Sequence, residues 1–470
     1  MQHLTTLDAC FLHAEDSDRN VSLAIGGVVV LDGPMPDHDS LMPTLAARIG
    51  GCPRLAQRLR RRPLDLGAPE WVDDDSFDIA HHLRRVALPR PGEDRELYQL
   101  VADVMALRLD RSRPLWEIWV IEGLPGDRWA MLMKVHHCIA DGIATAHMLA
   151  GLSDRVVGDS FAGDIRAAHA HRSRPGPARP TPGTVDPMAW VSGLFGAPAA
   201  VVKAALTAAR GTAELTAGLL RPAGSPLNGP IGSLRRYSAA RVSLADVRQV
   251  CDAFDVTIND VALAAITESY RALLTRRGEK PAPESLRTLV PVSMRSTDAF
   301  ATTDNRVSVM LPYLPVEEKN PVARLRAVHA RLSRTKVTGQ RQAVSSLFSM
   351  SSMIPFPLAA ATVRLLTRLP QRGVVTLTTN VPGPREPLTI MGCPVTGVMP
   401  IPPIAMQLRT GVAMLSYGDD LYFGILADFD AVPDIDELAR GVPVAVARLV
   451  ARSTRRQPAR ERRGPSLVTA

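Results

Sequence analysis

The sequence predicts a mixed α/β (α+β) fold in two lobes with mixed sheets, joined by a crossover linker. Three observations carry this expectation. Short apolar runs bounded by Gly, Pro and Asp turns alternate with stretches of helical periodicity. A proline- and arginine-rich stretch interrupts the chain over residues 153–187. Strands and helices of similar kind stand on both sides of it. At 470 residues the chain admits roughly three domains by ordinary domain size, and two larger lobes fit equally well. The expected spans are an N-terminal lobe at 1–152, the linker with apolar helices at 153–225, a C-terminal lobe at 226–452 and a basic tail at 453–470.

In the first lobe, VSLAIGGVVVL at residues 21–31 predicts a strand that stops at the turn Asp32-Gly33-Pro34, and a helix follows near 39–50. Residues 71–89 have extended character. Over 94–109, Leu97, Leu100, Val101, Val104 and Leu107 fall on one helical stripe. PLWEIWVIEGL and the run from Trp129 to His137 flank Pro125-Gly126-Asp127, which predicts a hairpin. Beyond the linker, residues 188–220 read as helical: Val202, Leu206, Ala209 and Ala213 form one face, and Lys203, Arg210 and Glu214 interrupt the rest. That stretch fits a helix lying on a membrane surface and equally an ordinary helix packed on the second lobe.

In the second lobe, Ser243 with Asp246 and Thr257 with Asp260 stand at capping-box spacing, and the second helix stops at Gly278. TLVPVSMR and NRVSVMLPYLP read as strands. Residues 411–429 read as a hairpin around Gly418-Asp419-Asp420, and 434–452 as an amphipathic terminal helix.

Composition narrows the function. Hydrophobic residues are 46% and charged residues 22%, enough to build a large core. Aromatics are 4%, and no aromatic-basic tract points to nucleic acid. Much of the net charge of +8 sits in the linker and in RSTRRQPARERR, which reads first as a solvated tail and second as a site for anionic headgroups, CoA phosphates or nucleic acid. Cys10, Cys52, Cys138, Cys251 and Cys393 are scattered, which argues against a disulfide framework and a structural zinc site and points to a reducing compartment. The first residues, MQHLTTLDACFLHAEDSD, lack the pattern of a signal peptide, and no uncharged apolar run reaches a spanning length of about 18 residues.

The chemistry concentrates in LMKVHHCIADGIATA, residues 132–146. Successive side chains of a strand point to opposite faces, so His136 and His137 do not both serve one site from a regular strand. One is the candidate base and the other a packing or hydrogen-bonding partner. A neutral imidazole is a good proton acceptor near neutral pH. Asp141 is placed to cap the following helix or to pair with an arginine, and Gly142 permits close backbone approach. No G-x-S-x-G elbow supports a serine nucleophile. The adjacent histidines do not match the i, i+4 pair of H-E-x-x-H zinc sites, so no metal is expected. Cys138 reads as a small buried residue. His81 and His82 form a second pair without the Asp-Gly and read as strand or surface.

HHCIADG matches HHxxxDG, the motif of the CoA-dependent acyltransferase superfamily with the chloramphenicol acetyltransferase-like fold, which includes peptide-synthetase condensation domains. The wider chain resembles the mycobacterial-type wax ester synthase/diacylglycerol acyltransferase family through LTTLDACFLHAED, RPLWEIWVIEGL, PLNGPIGSLRR, TINDVALAAI, VPVSMR, NRVSVMLPYLP, TNVPGPREPL and SYGDDLYFGILAD. The resemblance implies two such lobes and His137 as general base. It gives supporting roles to His136, Asp141 and Gly142 and to the Asn-Asp motif, Asn259 and Asp260. Asp260 has a strong competing reading as a mere cap. Arg295 and Arg306 are both candidate partners of Asp141. The segments with Asn228 and Gly229, and with Asn380 and Gly383, either shape the lobe interface or are only turns.

The implied substrates are long-chain acyl-CoA and diacylglycerol, or a long-chain alcohol, with no cofactor and no nucleic acid. The implied location is cytoplasmic, peripheral to the inner face of the cell membrane or to lipid droplets. Two other readings stand beside this one: a condensation-type enzyme acting on another hydroxyl or an amine, and a non-catalytic lipid-binding relative. Val21-Ser22-Leu23 stands where the family often has Met-His, and Asp304 replaces a common glycine. These departures leave acyl and acceptor preference open.

Overall fold

The computed structural model describes residues 2–49, 52–61, 67–154, 225–293, 307–337 and 373–454. The expected linker beyond Asp154, the apolar stretch 188–220, Arg295, Arg306 and the tail beyond Thr454 lie outside the described residues. In the first half, the strands are β1 Gln2–His3, β2 Ala24–Asp32, β3 Gln57–Arg60, β4 Glu70–Asp73, β5 Leu83–Ala87, β6 Trp116–Leu124 and β7 Arg128–His136. The second half holds β8 Arg235–Ser243, β9 Thr288–Ser293, β10 Val307–Met310, β11 Thr376–Val381, β12 Thr389–Ile390, β13 Cys393–Ile401, β14 Thr410–Tyr417 and β15 Asp420–Asp428. The helices are α1 Thr6–Ser17, α2 His38–Ile49, α3 Asp94–Ala106, α4 Gly142–Gly151, α5 Leu244–Phe254, α6 Ile258–Arg276, α7 Pro321–Val337 and α8 Ile435–Thr454.

Two six-stranded sheets organise the chain. The first runs β12-β13-β2-β7-β6-β5 and the second β10-β9-β11-β14-β15-β8. Both are mixed. In the first, β5 is parallel to β6 and the other pairs are antiparallel. In the second, β11 is parallel to both β9 and β14. A small third sheet, β1-β4-β3, flanks the first.

The centre of the first sheet follows from its residues. β2 and β7 are buried along nearly their whole lengths, which suits strands with a neighbour on each side and cover on both faces. Gly26 of β2 is needed there, because a Cβ would sit 2.2 Å from the Met133 carbonyl oxygen of β7. The β6–β7 hairpin turns through Gly126 and Asp127, both with positive φ, as tight hairpin turns require.

The expected span 226–452 does not coincide with one sheet. β13, from late in the chain, pairs along β2 and completes the first sheet. Without it β2 would be an unpaired apolar edge, an arrangement folded proteins avoid. β13 also packs back on the second sheet: the Tyr237 and Tyr417 hydroxyls donate to the Pro400 and Val395 carbonyls, both at 3.0 Å. The contact is close enough that a Cβ on Gly424 of β15 would lie 1.6 Å from the Pro400 carbonyl oxygen. The first core therefore includes Tyr237, Leu415 and Leu426 from the second half.

Candidate active site

β7 ends at His136, and the chain turns through residues 137–139 before α4 begins at Gly142. Because the strand stops there, alternation no longer governs His137. Both imidazoles reach α1, each on a different residue of it. Phe11 stacks on the His137 ring with centroids 4.3 Å apart and planes 18° apart. Glu15, one turn further along, sets Oε2 3.5 Å from His136 Nε2. Residues four apart share a helix face, so α1 presents this pair together. Neither residue stood out in the sequence; the i, i+4 spacing of an aromatic and an acid was the only signal.

The His136 tautomer follows from its partners. The Cys138 backbone N–H donates to His136 Nδ1 at 3.1 Å, so the ring hydrogen resides on Nε2, toward Glu15. Glu15 Oε1 accepts from the Leu23 N–H at 3.0 Å, and Arg111 donates to Oε2. The Leu23 carbonyl in turn accepts from the His137 N–H at 2.9 Å. One carboxylate thus meets the histidine turn by two routes, a 3.5 Å contact with the His136 ring and a hydrogen bond to the β2-side backbone at Leu23. Burial alone would raise the Glu15 pKa, but the contacts with His136, Arg111 and Leu23 outweigh it and bring it to about 2.

Burial pushes the half-buried His137 imidazole below its ordinary value, and the charge of Asp141 acts against that shift. The ring is therefore neutral at neutral pH and able to accept a proton. Cys138 is buried and its thiol is pushed well up, so it offers no thiolate nucleophile.

Asp141 is buried and caps α4: its Oδ1 accepts from the Ala144 N–H at 2.9 Å. Gly142 approaches the second lobe so closely that a Cβ would lie 2.9 Å from Val381 Cγ2 at the end of β11. Asp141→Asn keeps a capping oxygen and loses the charge. Activity is expected to fall together with melting temperature while the pH profile of the remaining activity keeps its shape. Asp141→Ala should be worse on both, since a lost cap costs about 0.5–2 kcal/mol. An unchanged melting temperature with a collapsed rate would assign Asp141 to proton transfer instead.

The Asn-Asp motif opens α6. Asp260 Oδ2 accepts from the Thr257 N–H and hydroxyl at 2.9 and 2.8 Å and meets His329 Nδ1 of α7 at 2.9 Å. Its carboxylate is occupied by the capping box and by this latch to α7. Asn259 is half-buried, and its Oδ1 stands 3.5 Å from Asn380 Nδ2. Asn380 precedes Val381, so β11 links Asn259 to the strand end that Gly142 touches. Gly383 sits where a Cβ would lie 2.0 Å from the Ser416 carbonyl oxygen. In PLNGPIG, the Pro226 and Pro230 carbonyls hold Arg409, and the Ile231 carbonyl accepts from Asn20 at 3.1 Å. Both segments are contact points within and between the lobes. His82 is buried, stacked 4.5 Å from Trp116, with Nδ1 on the Trp116 carbonyl at 2.8 Å. The pair lies in a helical turn just before β5 and not in a strand; His81 is exposed as the surface alternative expects, and His82 is neither strand nor surface. An indole beside it makes a buried site.

Two mixed sheets, a shared strand and a histidine turn at their junction define an acyl-transfer fold of the chloramphenicol acetyltransferase type. The solved first condensation domain of the calcium-dependent antibiotic synthetase has this fold, with TM-score 0.61 and 16% identity over 96% of each chain. The wax ester synthase/diacylglycerol acyltransferase from Marinobacter aquaeolei VT8 superposes with TM-score 0.66 and 24% identity, covering 96% of this chain and 100% of its own. The catalytic-domain model of that family matches residues 4–262, and its C-terminal-domain model residues 303–449. A Mycobacterium tuberculosis protein named probable diacylglycerol O-acyltransferase is 59% identical across 100% of both chains. Another from that organism, named putative diacylglycerol O-acyltransferase, is 43% identical over 100% of this chain and 99% of its own. The chain belongs to the wax ester synthase/diacylglycerol acyltransferase family and is an acyltransferase.

Proposed function

We propose that the chain transfers a long-chain acyl group from acyl-CoA to the hydroxyl of diacylglycerol, giving triacylglycerol, with His137 as general base. The observation that carries this reading is the half-buried His137 imidazole fixed at the lobe junction, stacked on Phe11 with its backbone N–H on the Leu23 carbonyl. It takes the hydroxyl proton as the oxygen attacks the thioester carbonyl. The new C–O bond forms, the C–S bond breaks, and the imidazolium returns the proton to the departing CoA thiolate. No covalent enzyme intermediate and no cofactor is needed, since acyl-CoA is itself a substrate. Holding both substrates at one base supplies a large part of the rate. His136, Asp141 and Gly142 shape the turn that carries the base, and Asn259 and Asp260 shape the opposing lobe. A long-chain alcohol in place of diacylglycerol would give a wax ester by the same steps.

Free-CoA release from purified protein tests this reading. Release is expected when diacylglycerol accompanies long-chain acyl-CoA and not without an acceptor. Release only with an amine or another hydroxyl would favour the condensation-type reading, and none with any acceptor the lipid-binding one.

The acceptor is very apolar, and among the described residues no helix is long and apolar enough to cross a membrane. With the apolar stretch 188–220 and the basic tail, this supports peripheral attachment to the inner face of the cell membrane or to lipid droplets. The protein is expected to sediment with anionic vesicles more than with neutral ones, and less at high salt. Equal binding across all four conditions would remove the electrostatic part.

A further inference from the structure

We propose that Phe11 is a positioning residue for His137, holding the imidazole by its ring face and favouring the imidazolium that forms during transfer. The inference rests on His137 being the base. The side chain of a histidine just past a strand end has two torsions to fix, and its turn begins at that residue. Phe11 supplies a surface for it at 4.3 Å and 18°. Phe11 is itself fixed: it packs against Ala14, Val21, Leu23, Ile231 and Ala405, a small core that joins the two lobes. Its helix is pinned to the same turn by Glu15, through His136 and Leu23. The phenyl is thus aligned by both lobes and by the turn it serves.

The chemistry adds a reason for an aromatic here. As His137 takes the hydroxyl proton, the ring becomes cationic over a phenyl face. A π face attracts a cation more than a neutral ring, so this contact strengthens toward the transition state. An aliphatic side chain of similar bulk fills the core but lacks that face.

The test compares Phe11→Leu, Phe11→Met and Phe11→Tyr in full-length protein, with long-chain acyl-CoA and diacylglycerol. The aliphatic variants are expected to lose roughly 3- to 30-fold in kcat, with KM for either substrate nearly unchanged, the range a cation–π contact spans. Phe11→Tyr keeps the face and should retain most of the kcat. Near-wild-type kcat in Phe11→Leu, an equal loss in Phe11→Tyr, or a change confined to KM would each overturn the proposal. A second readout does not need the variants to fold. In wild-type protein labelled at histidine, the His137 ring protons should resonate upfield of ordinary histidines because they lie over a phenyl ring, and an unshifted signal would equally overturn it. His137→Ala separates the two inferences: full activity in that variant defeats the base, whereas an inactive His137→Ala beside a fully active Phe11→Leu defeats only the positioning role.

Discussion

His137→Ala is expected to lower acyl-transfer kcat about 10²–10⁴-fold, the usual contribution of a positioned general base. The fold should survive, because the ring is half-buried while the turn is held by backbone and by neighbours: the His137 N–H on the Leu23 carbonyl, and the Ile139 N–H on the His136 carbonyl at 2.9 Å. Removing the ring opens space beside Phe11 without breaking those bonds. His136→Ala is the contrasting case. It deletes a ring fully inside the protein, which accepts from Cys138 and faces Glu15, so its loss should appear first in melting temperature. The pH dependence gives a second check. Because burial lowers the His137 pKa, the acid limb of kcat/KM should fall below the ordinary value of 6.5 for histidine. The base is in its working, neutral form above that limb and lost as pH drops through it. A folded His137→Ala protein that turns over at the wild-type rate would end the general-base reading.

Much of this was legible in the sequence wherever one element announced itself locally. The β6–β7 and β14–β15 hairpins stand at the turns their Gly-Asp pairs predict, and Thr257 with Asp260 makes a reciprocal capping box. Ser243 caps α5 through the Ala245 N–H, without a reciprocal bond from Asp246. What was not legible depended on partners far along the chain. β13 is cut by Pro394 and Pro400 and carries Gly397, so its composition argues for loop; it is a strand because β2 offers it an apolar edge. β8, with its three arginines and its alanines, is likewise fixed by pairing with β15. At the site, HHxxxDG marked the turn, but nothing local marked what holds it. Arg111 and Glu15 are 96 residues apart, and only folding of α1 against the segment after α3 brings them together. The alternation argument presumed a regular strand through both histidines, whereas β7 ends at His136 and His137 lies in the turn; the division into one candidate base and one bonded partner does not depend on it.

Glu15→Gln is expected to be the most destabilising conservative change near the site. The side chain is 2% exposed and carries bonds from Arg111 and Leu23 beside the His136 ring. Removing one partner of a fully buried ion pair costs about 3–5 kcal/mol; Arg111 is 25% exposed and keeps Asp16 as a partner, so the loss here is expected at the low end, about 3 kcal/mol. Asp16, the neighbouring acid, also pairs with Arg111, but its side chain is 37% exposed, and such pairs contribute only about 0–1 kcal/mol. Asp16→Asn is therefore the matched control. The pKa of Glu15 sets the pH window. It is held at about 2 against an ordinary 4.5, so the group stabilises the fold fully above pH 4.5 and loses that contribution as pH falls toward 2. The gap corresponds to roughly 3 kcal/mol, in line with the cost of breaking the pair. Unfolding free energy measured from pH 7 downward should thus fall steeply in wild type below about 4.5, and less steeply in Glu15→Gln, which has no proton to take up at this position. Activity should fall with stability, since the same carboxylate holds His136 and, through Leu23, the backbone of His137. If Glu15→Gln proves no less stable than Asp16→Asn, and its acid limb matches wild type, the turn is held by the backbone alone and α1 is only its cover.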